Sequence, residues 1–209
     1  PERHPLHGYG WQSAWEVAAR DSRAARLVFR DDTRWPWSYE AFQEFSLSPD
    51  SLTVTLGLHS LATESFPASL GLHPYFPRAG GALLEARCTR LWARDASGIP
   101  IAPRPIPLRH DFSSARPLKD TALDHCFDGW RGHAIVSWPG DRAALRIEAD
   151  ACRFLHVYAP DGEDYFCSEP MTTRPDAFNP RPEDRLPVPM VRPGESISLT
   201  VRLYPVLQR

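Results

Sequence analysis

Gly71-Leu72-His73-Pro74-Tyr75-Phe76-Pro77 sets one titratable ring and one phenol two residues apart on a stretch stiffened by proline. Proline at position 74 biases His73 toward extended geometry and discourages a helix. In a strand, side chains alternate with period two, so His73 and Tyr75 share a face. Such a pair suits proton transfer at a ring-shaped ligand. It equally suits a half-buried strand end. Three other segments combine polar side chains with turn residues or aromatics: His4-Pro5-Leu6-His7-Gly8-Tyr9-Gly10-Trp11, Leu123-Asp124-His125-Cys126-Phe127-Asp128-Gly129-Trp130, and Cys167-Ser168-Glu169-Pro170-Met171-Thr172 leading to Asp176-Ala177-Phe178-Asn179. Glu169 directly follows the apolar Tyr165-Phe166-Cys167. Desolvation there would raise its pKa, and a charged histidine nearby would lower it.

Each residue also has an ordinary structural reading. A lone strand histidine is more often a hydrogen-bonded core or rim residue than a catalyst. His4 and His7, three apart without a helix, make a poor metal pair. Asp124 and Asp128 fit loop residues bonding their own backbone. Glu169-Pro170 fits a strand end. The seven tryptophans are core by default, although exposed ones stack on sugar faces. Taken alone, these residues support a β-sandwich with a histidine–carboxylate site and no more.

The elements that must position them read as strands. With 22 prolines in 209 residues, long helices are disfavoured. Leu52, Val54, Leu56 and Leu58 alternate with Thr53, Thr55, Gly57 and His59, giving a strand with one dry face. Paired with Phe42-Gln43-Glu44-Phe45-Ser46-Leu47 across Pro49-Asp50-Ser51, it predicts a hairpin. His133 to Trp138 and Ala144 to Glu148, joined by Pro139-Gly140-Asp141, predict a second. Ile197, Leu199, Val201 and Leu203 mark a C-terminal strand launched by Pro193-Gly194. Shorter strands are expected at 27–29, 83–86, 154–158 and 165–167. Propensity predicts a short helix over 11–20. Stretches 99–108 and 179–189 read as proline-rich loops of the kind that cover sites. No repeat or composition shift divides the chain. The expectation is a single domain over 1–209, an all-β large antiparallel β-sandwich.

Composition narrows the function classes. Hydrophobic residues make up 42% and charged ones 24%, the profile of a globular protein. A formal net charge of −2 argues against nucleic acid. No run approaches the roughly 18 apolar residues that cross a bilayer, so no membrane partner is expected. Pro1-Glu2-Arg3-His4 shows no apolar signal region. Cys88, Cys126, Cys152 and Cys167 form no CxxC pair and match no zinc spacing, so free thiols in a reducing cytoplasm are expected. The eight histidines form no HExxH-like cluster, and no metal site is expected.

Together, in this order along the chain, the four segments resemble the aldose 1-epimerase (galactose mutarotase) family. His7-Gly8 with Trp15-Glu16-Val17 is similar to its HG…WEV segment. Gly71-Leu72-His73-Pro74-Tyr75-Phe76 resembles its HPYF segment, which carries the general acid. Leu123-Asp124 with Phe127 resembles its sugar-binding aspartate motif. Phe166-Cys167-Ser168-Glu169-Pro170 and Pro175-Asp176-Ala177-Phe178-Asn179 resemble the segment carrying the general base. The match runs from about residue 4 to the C-terminus. HPYF and EPMT…DAFN are fairly specific, the aspartate motif weak. The resemblance implies a galactose mutarotase-like supersandwich, with the family's N-terminal strands and arginine-bearing segment expected to be missing because the chain begins almost at the HG motif.

It also implies anomer interconversion of a free hexose such as galactose or glucose, with His73 as acid and Glu169 as base. His7, Tyr75 and Asp124 would hold sugar hydroxyls. His156, in His156-Val157-Tyr158, stands where some members carry Gln-Val-Tyr. The chemistry suits the residue types: with an acid and a base expected to face each other across the sugar, on opposite sides of the acetal, the ring oxygen gains a proton while the C1 hydroxyl loses one, each transfer worth roughly 10²–10⁴-fold when positioned. No electrons move, so neither cofactor nor metal is expected. Three rival readings stand beside it: a glycoside hydrolase pairing Asp124 with Glu169, a non-catalytic sugar-binding module of the same fold, and a hexose-6-phosphate mutarotase.

Overall fold

The structure, a computed structural model, describes residues 7–118 and 122–207. His4, in the first of the sequence segments, lies outside the described residues. In chain order the strands are β1 (Glu16–Arg20), β2 (Ala24–Asp31), β3 (Tyr39–Leu47), β4 (Leu52–Ser60), β5 (Phe66–Pro67), β6 (Tyr75–Pro77), β7 (Leu83–Ala86), β8 (Arg90–Arg94), β9 (Pro100–Arg104), β10 (Arg116–Pro117), β11 (Leu123–Asp128), β12 (His133–Trp138), β13 (Ala143–Ala149), β14 (Phe154–Ala159), β15 (Tyr165–Met171), β16 (Met190–Val191) and β17 (Ser196–Leu207). Among the described residues, helical structure is confined to three-residue 3₁₀ turns.

Two antiparallel sheets carry the fold. One has nine strands in the order β1-β2-β3-β4-β17-β13-β12-β7-β10, the other six in the order β6-β15-β14-β11-β8-β9. A small β16–β5 pair stands apart. The expected hairpins are present: Phe42 faces Gly57 across β3 and β4, and Val136 faces Leu145 across β12 and β13. Gly57 is required there because the Phe42 ring lies over it, 2.0 Å from where a Cβ would stand. The C-terminal strand fills the centre of the larger sheet, with Leu199 opposite Leu56 and Ile147 opposite Leu203.

One hydrophobic cluster joins the sheets. From the nine-stranded sheet it takes Phe29, Leu84, Val136, Ile147 and Leu199, and from the six-stranded sheet Leu91, Phe127, Leu155, Val157 and Phe166. At roughly 1.5–3 kcal/mol per fully buried large apolar side chain, this interface dominates the stability. The all-β antiparallel expectation is therefore met.

Two sequence expectations fail. Residues 11–20 are not a helix: a 3₁₀ turn at Gly10–Gln12 is followed by β1, whose five residues are all exposed. An edge strand with no dry face has no alternation to reveal it, so its alanines and charges mimic a helix. Nor is 99–108 wholly a loop, because β9 occupies Pro100–Arg104. It lies at the sheet edge. There, prolines that donate no ladder hydrogen bond are tolerated.

Candidate active site

Period two sorts the six-stranded sheet into two faces. On β15, Phe166 turns into the main core while Cys167 and Glu169 turn away. On β14, Leu155 and Val157 enter the core and His156 and Tyr158 stand opposite. On β11, Leu123 and Phe127 enter it and Asp124, Cys126 and Asp128 stand opposite. On β8, Leu91 enters it and Arg90, Trp92 and Arg94 stand opposite. Register then aligns the polar set: His156 faces Glu169, Cys126 faces His156, and Tyr75 of β6 faces Cys167.

His73 precedes β6 rather than lying in it. Its ring stacks on that of Tyr75, with centroids 4.8 Å apart and an interplanar angle of 21°, so the two share a side as the sequence anticipated. Nε2 of His73 lies 3.4 Å from Oε1 of Glu169, whose side chain is 8% exposed against 28% for His73. That separation exceeds an ordinary N–H···O distance. Acid and base candidates thus sit side by side on one wall rather than across a cleft. His7 stands edge-on to His73 with centroids 5.0 Å apart. It adopts the left-handed φ of 61°, followed by Gly8 at 66°, which turns the chain sharply over the sheet. Such a φ is rare for a non-glycine residue and marks a position held by its surroundings.

Two carboxylates on this face have opposite electrostatics. Burial raises the Glu169 pKa to about 7, with His156 lowering it and Asp124 raising it further. Burial would also raise Asp124, but the hydrogen bond from His156 and the Arg94 guanidinium outweigh it and hold that carboxyl at about 2. Nε2 of His156 donates to Oδ1 of Asp124 at 2.9 Å, and Arg94 donates to Oδ2. His73 is pushed below the ordinary histidine value, first by burial and then by His7. Tyr75 is 63% exposed, and desolvation first, then Cys167, raise its pKa.

All six sequence-predicted site residues are described. Glu169, His73, Tyr75 and His7 form one chain of contacts, and Asp124 and His156 form a hydrogen-bonded pair, joined to it by the His156–Glu169 register. Sequence reasoning missed Arg94 and the placement of Cys167 beside His73 and Glu169. The signal for Arg94 was present as Arg90-Leu91-Trp92-Ala93-Arg94, where two arginines four residues apart flank an apolar stretch. All four cysteines are free.

The sequence pattern of the family described as Aldose 1-epimerase matches residues 1–204. This chain belongs to the aldose 1-epimerase family. A curated relative, an Escherichia coli K12 protein called YphB and described as uncharacterized, is 29% identical over 211 residues, a match spanning 97% of this chain and 72% of that one. A crystal structure from Escherichia coli K12, named only provisionally as an aldose 1-epimerase, superposes with a TM-score of 0.90 at 26% identity, covering 97% of this chain and 72% of that one. A galactose mutarotase-like protein from Clostridium acetobutylicum gives a TM-score of 0.85 at 16% identity, covering 96% and 69%, and shows likeness of fold alone. Membership in the family and the mutarotase-like fold are thereby established.

Proposed function

We propose that this chain, acting as one domain, interconverts the α- and β-anomers of a free aldose, with His73 as general acid and Glu169 as general base. The observation that carries this reading is the 3.4 Å approach of Nε2 to Oε1 on the polar face, with the carboxyl near neutrality. The ring oxygen and the hydroxyl oxygen are both bonded to the anomeric carbon, so two groups side by side can reach both.

In the forward step the His73 imidazolium N–H protonates the ring oxygen while the Glu169 carboxylate takes the proton of the C1 hydroxyl. The C1–O bond of the ring breaks and the C1 carbonyl forms. Rotation about C1–C2 presents the other carbonyl face. Closure then returns both protons. The pair needs one shared proton, placed on His73. With His73 depressed and Glu169 raised, the commoner arrangement of that proton is on the carboxyl, and the reactive one differs only by a transfer across the gap. His7, Tyr75, Asp124 and His156 hold sugar hydroxyls. A hexose such as galactose or glucose is the substrate class.

One observation favours a second reading, a glycoside hydrolase. Asp124 at about 2 and Glu169 at about 7 are a carboxyl pair split in the sense such enzymes use. Polarimetry of freshly dissolved α-glucose and α-galactose separates the two. The proposal expects faster decay to equilibrium rotation and no action on methyl glycosides. Release of methanol from the glycosides, or no acceleration with either free sugar, would contradict it.

A further inference from the structure

We propose that His73, Cys167 and Glu169 form a binding site for a thiophilic divalent cation of the zinc class. A ring nitrogen of His73, Sγ of Cys167 and a carboxylate oxygen of Glu169 all lie within 4.8 Å of one another. The His73–Glu169 edge of this triangle is 3.4 Å. Two ligands about 2.0–2.1 Å from a tetrahedral zinc stand about 3.3 Å apart. That edge is therefore already at coordinating separation, and the thiol lies within 4.8 Å of both groups.

The backbone fixes all three positions. Cys167 and Glu169 are two residues apart on β15 and share a face. Tyr75, paired with Cys167 across the β6–β15 ladder, carries the His73 ring stacked on its own. Charge balance fits as well. A thiolate, a carboxylate and a neutral imidazole bring two negative charges, which a divalent cation cancels in a corner where Cys167 and Glu169 are buried. Thiolate and imidazole together select zinc-like ions over magnesium or calcium. Three protein ligands leave a fourth position for water.

Cys167 has no part in the proton transfers proposed above. A cation bound here would occupy the Nε2 and carboxylate those transfers need, so on that reading zinc is a reversible inhibitor. The site itself does not depend on that reading.

Cobalt(II) serves as the probe, titrated into the full chain with a non-thiol reductant. One equivalent should bind, with a thiolate-to-cobalt charge-transfer band that zinc displaces. Cys167→Ser should abolish the band, Cys88→Ser should leave it unchanged, and His73→Gln should weaken cobalt affinity by about tenfold or more. Absence of the band in the wild type, or its survival in Cys167→Ser, would overturn the site. Should Cys167→Ser fail to fold by circular dichroism, unchanged affinity in His73→Gln overturns it instead. In parallel, zinc should slow mutarotation by the wild type, and Cys167→Ser should need about tenfold more zinc for the same effect. If the wild type shows no mutarotation, the function proposed above fails while the cobalt titration still decides the cation site.

Discussion

Asp124 and Asp128 lie four residues apart on the same strand and the same sheet face, and each pairs with an arginine of β8. Their surroundings differ. Asp128 receives Nε of Arg90 at 3.0 Å on one oxygen and, on the other, Nη2 of Arg90 at 2.5 Å and Nε1 of Trp92 at 3.0 Å. Its side chain is 7% exposed. Beyond it Arg174 covers Trp92 at 4.8 Å and is itself held by Asp184. Asp124 is 35% exposed, and its partner His156 keeps a buried Nδ1 without a hydrogen-bond partner among the described residues. Next to it Glu169 and His73 stand just beyond hydrogen-bonding distance. A buried carboxylate that accepts three hydrogen bonds from neighbours themselves packed in place holds a structure. One beside unfilled polar groups is left able to bind something else.

Breaking the saturated end should produce the largest change in stability. Asp128→Ala leaves the half-buried Arg90 guanidinium and the buried Trp92 N–H without their acceptor, a loss of the kind that costs about 3–5 kcal/mol, and should lower the denaturant midpoint sharply while anomerisation per folded molecule stays near wild type. The open end should behave in the opposite way. The Glu169 carboxyl has a folded pKa of about 7 against 4.5 in the unfolded chain. Its contribution to stability is full below about pH 4.5 and is lost as pH rises through 7. Glu169→Gln should therefore stabilise the protein at pH 8, by about 3 kcal/mol, and leave it unchanged at pH 4, as urea titrations at the two pH values would show. Stabilisation by removing a buried charge is the mark of a site kept for chemistry.

Smaller effects sharpen the contrast further. Asp124→Asn should cost no more than about 1 kcal/mol of stability, as expected for an exposed pair. It should raise KM for the sugar more than it lowers kcat, which initial-rate measurements over a range of sugar concentrations resolve. With a chelator present, kcat/KM should follow a narrow bell. Its acid limb would reflect His73, below the ordinary histidine value, and its alkaline limb Glu169 near 7. A rate still rising at pH 9 would contradict the shared-proton arrangement.

What the sequence disclosed follows the same division. Strands with one dry face, such as 52–58 and 197–203, announce themselves by alternation. β8 and β11 did not. Trp92, Cys126 and Phe154 form a second small core on the polar face, so these strands carry apolar residues on both sides and lose the two-residue period. His73, Glu169, Asp124 and His156 were legible as residue types within recognisable segments. Their pairing was not, because it depends on β14 lying between β11 and β15, an order no local pattern encodes. Arg94 stayed hidden for the same reason: its role comes from lying opposite Asp124 across β8 and β11.

The most direct test follows anomer equilibration of α-galactose by polarimetry, with a chelator, for the wild type, His73→Ala, Glu169→Gln and Asp128→Asn at equal folded concentration. The account predicts losses of roughly 10²–10⁴-fold in each of the first two variants, with Asp128→Asn retaining the wild-type rate. Full rates in His73→Ala and Glu169→Gln, or a loss in Asp128→Asn as large as theirs, would contradict it.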